Sequence, residues 1–385
     1  MKTIGDQQLV RRINRSVLLR LLRAQPGLSR ARLAAESGLT KSTVSLLVRE
    51  LLDDGWLDEA GAPVVDGLGR PSTPLRINVG VRALIGVEIA IEVVRVVCVS
   101  LQGEVLYSDA QPLRDHAPSV VCAQAARMVA AAHRRLLVSG LRLSGIGVGV
   151  PGAVHDATGV VRFAPNLGWR NVSLLPGLTD ALAGEGISGV AVQLQNDADT
   201  AALGEYEFSD GEGEDPLIFV SCDVGVGAGI VLNDRLFIGA QGMAGEIGHT
   251  VLQIDGPRCS CGRRGCAEVF LGSRVLDREA GELRRAAGFL GVLLQNLWVT
   301  FEPRAIVVGG KSCEAHPEFL GLAIETVGRY AESAGMPPPV VRAARYGEWA
   351  PAVGAAALAL HEYLRPLHPN SEARRERAAA SESAV

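Results

Sequence analysis

The sequence contains no run of 18 or more apolar residues, although 48% of its 385 residues are hydrophobic. That excludes a membrane-spanning helix and leaves enough apolar material for a large core and two or three domains. The opening residues, MKTIGDQQLVRRINRS, lack the apolar stretch of a secretion signal. Cysteine is scarce and unevenly spread: of seven, three fall within residues 259–266. The pattern argues against a disulfide framework and for a metal site in a reducing compartment, the cytoplasm. Cys98, Cys122, Cys222 and Cys313 read as small core residues. No internal repeat is visible beyond two similar β-rich openings, at Leu84 and Leu217. They suit a body of two lobes, each beginning with a β-meander.

A surplus of positive charge is also missing. The net charge is −4, which taken alone argues against nucleic acid. Its distribution argues the other way. Residues 1–80 hold 12 Lys+Arg against 8 Asp+Glu, a balance of +4, and the rest of the chain holds 26 against 34, a balance of −8. A basic head on an acidic body fits a DNA-binding module. The bland alternative is chance variation between segments.

What is present begins with helical periodicity in residues 11–59. Ile13, Val17, Leu18, Leu21 and Leu22 form one apolar stripe, ended by Pro26-Gly27. Ser29 is placed to cap a second helix reaching Ser37, and Thr40 to cap a third, over residues 40–54. The third helix puts Val44, Leu47, Val48, Leu51 and Leu52 on one face and leaves Lys41, Ser42, Thr43, Ser45 and Arg49 off it. A strand from Trp56, a Gly/Pro-rich loop over residues 61–74 and a return strand at 75–78 complete the order of a winged helix-turn-helix. Its third helix is the candidate recognition helix, with Lys41, Ser42, Thr43 and Ser45 at the end that enters a major groove. Arg49, one turn on, and Arg30 and Arg32, at the start of the second helix, are candidate phosphate contacts. Arg70, on the loop, suits a minor groove. The alternative is a protein-interaction module. The polar helix end, the Gly-containing turn and the wing favour duplex DNA. Because one such helix reads few bases, a two-fold dimer on a pseudo-palindrome is expected.

From Leu84 onward the texture is α/β. Strands are predicted at 84–99, which alternates and is β-branched as a strand or hairpin should be, and at 146–150, 190–195, 217–231 (two) and 305–308; helices at 120–137, 199–208, 283–300 and 352–364. Beyond Pro366 the composition is that of a disordered tail. Three domains are therefore expected: a winged helix over residues 1–80, a two-lobed body over 81–365 and a tail over 366–385. Gly147-x-Gly149-x-x-Gly152 formally fits a dinucleotide fingerprint, but Pro151 and the strand-like Ala153-Val154 stand where a helix should open.

The most specific pattern is His249-x9-Cys259-x-Cys261-x4-Cys266. Three thiolates and one imidazole complete a tetrahedral Zn²⁺ shell with no open position, the structural kind of site. Three reduced cysteines without metal are the alternative. The surrounding segment, GEIGHTVLQIDGPRCSCGRRGCAE, resembles the signature of the ROK proteins, a family of repressors and sugar kinases built like hexokinase and actin. The resemblance extends to GVGVPGAVHDATGVVRFAPNLGWRNVSL, QNDADTAALGE, IVVGG and RPSTPLRIN, so it covers nearly the whole chain.

The resemblance implies an N-terminal winged helix on an α/β, actin-like two-lobed body, and a sugar site of Asn196, Asp197, Glu246, His249 and Glu268, with Asn166 as a further candidate. Hydroxyls both donate and accept, so carboxylates and an amide suit them. One nitrogen of His249 on zinc leaves the other free for the ligand. In the family's kinases the residue matching Asp197 is the general base. Those kinases open with Asp-x-Gly-Gly-Thr, where this chain reads Glu88-Ile89-Ala90-Ile91-Glu92. Their second phosphate loop, Gly-Thr-Gly-x-Gly, here reads Asp223-Val224-Gly225-Val226-Gly227. Ile91 adds bulk, and Glu92 and Asp223 add negative charge, where phosphates pass. The expectation is a repressor sensing a sugar or sugar phosphate, without catalysis and with Asp197 a vestigial base. A bifunctional ATP-dependent sugar kinase is the alternative, and a repressor answering a protein partner is a third. The segment between Glu268 and Leu283 is shorter than the helical insertion usual in the family, which bears on the form of the homodimer or higher oligomer.

Overall fold

The computed structural model describes residues 7–59, 73–155, 157–209, 214–240, 242–276 and 283–365. Helix α1 (Gln7–Ala24) buries Leu18, Leu19 and Leu22. Ser29 caps α2 (Arg30–Ser37), its hydroxyl accepting from the Arg32 N–H at 3.3 Å. Gly38 then adopts a φ of 70°, a left-handed turn that costs glycine nothing. Thr40 caps α3 (Lys41–Asp53), and Val44, Leu47, Val48 and Leu51 face the core. Strands β1 (Leu57–Glu59) and β2 (Leu75–Ile77) pair antiparallel. These elements fall where periodicity and capping put them. Arg70, with most of the wing loop, and the segment 366–385 lie outside the described residues.

The body contains two five-stranded sheets of one plan. The first is built from β3 (Arg82–Ile89), β4 (Val93–Ser100) and β5 (Val105–Pro112), then, after helix α4 (Pro118–Val138), β6 (Arg142–Val150). A small antiparallel sheet follows, β7 (Ala153–His155), β8 (Val160–Ala164) and β9 (Trp169–Val172). Helix α5 (Leu174–Gly184) leads to β10 (Val192–Asn196), which completes the first sheet, and to α6 (Asp197–Glu207). The second sheet starts with β11 (Leu217–Cys222), β12 (Val226–Leu232) and β13 (Arg235–Leu236). After α7 (Glu268–Leu271), α8 (Ser273–Leu276) and α9 (Leu283–Phe301) it gains β14 (Ala305–Gly309). Then come α10 (Lys311–Ala315), α11 (Glu318–Ser333), the last strand β15 (Val341–Ala343) and α12 (Ala350–Leu364). The strand orders are β5-β4-β3-β6-β10 and β13-β12-β11-β14-β15. In each, a meander of three antiparallel strands is extended by two parallel ones. The two β-rich openings read from the sequence are thus the starts of two equivalent lobes.

Three details differ from the sequence reading. Strands β3 and β4 are buried on both faces after their first residue, not alternately. Ile85, Val87 and Val96 pack with α4, whereas Leu84, Val97 and Val99 share a core with α12, so neither face meets water. Helix α6 starts at Asp197, earlier than periodicity gives, because Asn196 caps it. Cys313 is half-buried at the edge of a core rather than within one.

Helices α6 and α12 are sandwiched between the lobes, and nearly all of each is buried. Their approach depends on glycine. A Cβ on Gly354 would lie 1.8 Å from the Thr200 carbonyl oxygen, and one on Gly147 would lie 1.7 Å from that of Ala355. Gly147 therefore admits α12 against the sheet, and β7 rather than a helix follows Gly152.

The N-terminal head is joined to the body through one continuous apolar core. Trp56 stacks on Tyr363 with ring centroids 4.2 Å apart, and Arg82 covers the Trp56 ring at 4.9 Å. Glu207, the last residue of α6, is buried among Arg23 of α1 (2.5 Å), His361 Nδ1 (2.7 Å) and Arg365. Asp234 pairs with Arg20 of α1 at 2.8 Å and also meets Tyr206 and Arg365.

Candidate functional site

A cleft of about 530 Å³ lies where the two sheets, the start of α6 and the cysteine loop converge. Asn166, Asn196, Asp197, Glu246, His249 and Glu268 all line it, so side chains spread over a hundred residues of sequence share one cavity. Its size suits a small polar ligand.

Each side chain is held by local structure. Asn196 ends β10 and caps α6, its Oδ1 accepting from the N–H groups of Ala198 (2.8 Å) and Asp199 (3.2 Å). Its Nδ2 donates to the Gly152 carbonyl at 3.0 Å, leaving one N–H for a ligand. Asp197 follows directly, and burial, with Asp223 and Glu246 adding, pushes its carboxyl up to about 6 against the opposing Ala198 N–H. Glu246 opens a 3-10 turn (Ile247–His249) pressed onto β12: a Cβ on Gly245 or Gly248 would lie 2.0 or 2.2 Å from the carbonyl oxygens of Ala228 and Val226. The Glu246 carboxyl is also raised, by burial first and Glu268 second, with His249 opposing. Glu268 begins α7 and accepts from the Ser260 hydroxyl at 3.4 Å. Asn166 is exposed on a 3-10 turn (Pro165–Leu167).

Beside the cleft, one donor atom each from His249, Cys259, Cys261 and Cys266 lies within 4.8 Å of all the others. The bridges Val251↔Cys266 and Arg258↔Arg264 fold the loop back on itself. Cys261 Sγ and Cys266 Sγ are 3.7 Å apart, and His249 Nδ1 is 3.7 Å from Cys259 Sγ. Two sulfurs each about 2.3 Å from a tetrahedral zinc stand about 3.8 Å apart, so the donor set and its spacing fit a metal ion. His249 lines the cleft as well, which joins cluster and cavity through one imidazole.

The other end of the cleft is rich in carboxylates. Glu88 is buried and held by Arg95 at 3.0 Å, and Arg95 also reaches Glu348 at 2.9 Å. Burial pushes Glu88 up to about 7, with Arg95 opposing and Asp197 and Asp223 adding. Asp223 Oδ1 accepts from the Lys311 N–H (2.9 Å) and Oδ2 from the Ser221 hydroxyl (2.6 Å), so an internal carboxylate takes groups that would serve a bound anion. Glu92 is exposed and meets the Lys311 ammonium at 3.3 Å, across the mouth between the lobes. Lys311 was missed by the sequence reading, although it directly follows the IVVGG segment.

On the head, Lys41, Ser42, Ser45 and Arg49 are exposed along α3. Thr43 is half-buried, its hydroxyl 2.9 Å from that of Thr40. Arg30 is half-buried and Arg32 exposed, and both are paired, with Glu59 at 3.1 Å and Glu36 at 3.3 Å. Among the described residues, no helix is long and apolar enough to cross a membrane.

The profile of the ROK family matches residues 84–287, more than half of the chain. The chain belongs to the ROK family. Residues 11–58 match the winged helix-turn-helix DNA-binding family. This ROK chain is 28% identical to the xylose repressor of Bacillus subtilis (strain 168) over 94% of its own length and 98% of that protein's. A ROK family transcriptional regulator described as a homolog of the E. coli MLC protein shares its fold, with a TM-score of 0.74 at 22% identity over 92% of this chain and 98% of that one. A ROK family glucokinase from Streptomyces griseus, solved with glucose and AMPPNP, superposes with a TM-score of 0.60 at 27% identity, over 72% of this chain and 98% of the enzyme.

Proposed function

We propose that this ROK protein is a DNA-binding transcriptional repressor whose operator affinity is set by a sugar or sugar-derived ligand in the interlobe cleft, and that it no longer transfers phosphate. The observation that carries the reading is the joining of a winged helix to a sugar-kinase-like body whose phosphate positions hold Ile91, Glu92 and Asp223. Sugar hydroxyls would donate to Asp197, Glu246 and Glu268 and accept from Asn196, with Asn166 at the rim. The xylose repressors among the relatives support a free sugar as the ligand class.

His249, Cys259, Cys261 and Cys266 would hold one zinc ion, which supplies a structural crosslink. Through Nδ1 the ion would fix the His249 ring, leaving Nε2 for the ligand. The head, residues 1–80, would bind duplex operator DNA through α3, with Arg30, Arg32, Arg49 and Arg70 on phosphates or the minor groove. Residues 81–365 form the sensing body and 366–385 the tail. The working form is a homodimer or higher homo-oligomer, since one recognition helix covers only a half-site. DNA as partner and a set of free thiols both favour the cytoplasm.

The coupling route would be α6. Its first turn supplies Asp197 to the cleft, and its last residue, Glu207, grips Arg23 of the head. A ligand shifts DNA affinity only by binding the two arrangements unequally.

The test joins two assays on the full-length protein. Free sugars and their phosphate esters are screened for a rise in melting temperature, and any binder is added to an operator-binding titration. A stabilising sugar that changes operator affinity is expected. A ligand that binds tightly and leaves operator affinity unchanged sinks the coupling. A second reading, hexose phosphorylation with an accessory DNA-binding head, is favoured by Asp197 alone. ADP release with a hexose and ATP would establish it over the first.

A further inference from the structure

We infer that Leu46, on the outer face of α3, is a base-reading residue that recognises a thymine methyl group in the major groove. The inference rests on the proposal that α3 binds duplex DNA.

Helix α3 has one buried face, with Val44 and Val48 at 0% exposure and Leu47 at 3%, while Leu46 points outward at 54%. A single exposed leucine is ordinary on a protein surface. Its surroundings set this one apart. Ser42, Ser45 and Arg49 are exposed around it, one turn to either side or adjacent, and Lys41 is exposed at the start of the helix. They are the residues that the motif turns toward DNA.

Most hydroxyls near this helix end are already engaged. Ser45 Oγ donates to the Lys41 carbonyl at 2.8 Å, and the Thr40 hydroxyl lies 2.9 Å from those of both Ser42 and Thr43. Apart from these hydroxyls, the exposed side chains on this stretch of α3 are the two cations and the leucine. Lys41 and Arg49 can serve phosphates or base acceptors. Leu46 has no polar atom, so phosphate offers it nothing. The only apolar group on a major-groove edge is the C5-methyl of thymine. A leucine in the second turn of a recognition helix, flanked by the residues that dock the helix, has that methyl as its complement.

The test uses the full-length chain and a random pool of duplexes. The wild type selects a consensus, and each thymine in it is then replaced by deoxyuridine, which removes the methyl alone. Loss of one buried methyl corresponds to about fourfold in affinity, so one thymine per half-site should show that drop. The Leu46→Ala variant should bind the thymine and uracil duplexes equally while melting with the wild type, since the side chain packs against little. Wild-type affinity indifferent to uracil at every position would overturn the inference. So would full discrimination retained by Leu46→Ala. If the wild type enriches no sequence at all, DNA recognition by α3 itself fails, and the Leu46 assignment with it.

Discussion

Replacing Glu207 by glutamine should lower stability more than any other isosteric change at the junction of head and body. The carboxylate is 2% exposed and faces Arg23, Arg365 and His361, whose side chains are 20%, 11% and 3% exposed. Burial alone would raise its titration. Arg365 and Arg23, with the His361 hydrogen bond, overrule that and hold the carboxyl well below the usual carboxylate range. Glutamine keeps the shape and removes the charge. Arg365 retains Asp234, but the shared counter-ion of both arginines is gone. Breaking a buried ionic cluster by deleting one partner costs about 3–5 kcal/mol. At about 2 °C per kcal/mol for a chain of this size, that is a fall of about 6–10 °C in melting temperature.

The pH dependence follows from the sign of the shift. A carboxyl depressed in the folded state stabilises fully above its unfolded value, about 4.3, and loses that contribution as pH falls toward the folded value. The gap between wild type and Glu207→Gln should therefore be widest at neutral pH and narrow below about pH 4. Thermal melts at pH 7 and at the lowest pH where both proteins stay folded read this directly. A variant melting within about 1 °C of the wild type at pH 7 would show that the cluster contributes little net, as some buried ion networks do. A gap independent of pH would show that the loss of an acceptor oxygen facing these donors, not the loss of charge, carries the effect. Arg23→Ala offers a second readout, because the ligand should still bind the cleft while its effect on operator affinity weakens.

Substituting Cys259 or Cys266 by serine should abolish stoichiometric zinc, measured by elemental analysis, and lower the melting temperature, as should chelation of the wild type. Asp197→Asn should weaken sugar affinity about tenfold or more by calorimetry. It should also stabilise the ligand-free protein at pH 8, because a carboxyl raised to about 6 destabilises the fold above that pH and the penalty is relieved as pH falls through it. For the same reason, wild-type sugar affinity should decline below about pH 6, where Asp197 gains a proton and loses an acceptor. Arg49→Ala should weaken binding to all duplexes about equally and reduce the salt slope by about one, whereas a change in selected sequence would make Arg49 a base contact.

Local signals made the head legible. Ser29 and Thr40 are caps, Gly38 is a turn residue, and the α3 leucines recur at helical spacing, each visible within a few residues of sequence. The cluster that could hold a metal was legible because three cysteines and a histidine lie within 18 residues. The body was harder. Strand β5 is mostly exposed and carries no apolar alternation, so nothing marked it. Strands β3 and β4 are covered on both faces, which only the position of α4 and α12 explains. Lys311, Arg95 and Glu348 acquire meaning from partners more than 200 residues away, and no periodicity carries that information. Glu207 is the sharpest case, an acidic residue at the end of a helix that becomes the buried anchor of Arg23 only when α1, α6 and α12 converge.

The geometry also says how a small change in the cleft could reach the head. Helix α6 packs closely on α12: a Cβ on Gly354 would lie 1.8 Å from the Thr200 carbonyl oxygen, and one on Gly204 would stand 3.0 Å from the Gly354 Cα. Such packing favours the two helices moving as one body, with Glu207, His361 and Tyr363, the groups that hold Arg23 and Trp56. The Glu92–Lys311 pair across the cleft mouth is exposed at both ends, and such pairs contribute less than about 1 kcal/mol. Typical allosteric couplings are about 1–3 kcal/mol, so a ligand drawing the lobes together is not opposed by that pair. What resists is the buried junction, where the cost of a broken ion cluster exceeds the coupling itself. A ligand-driven shift of the kind proposed would then rotate the head together with the α6–α12 pair, leaving the junction intact and changing how α3 is presented to DNA.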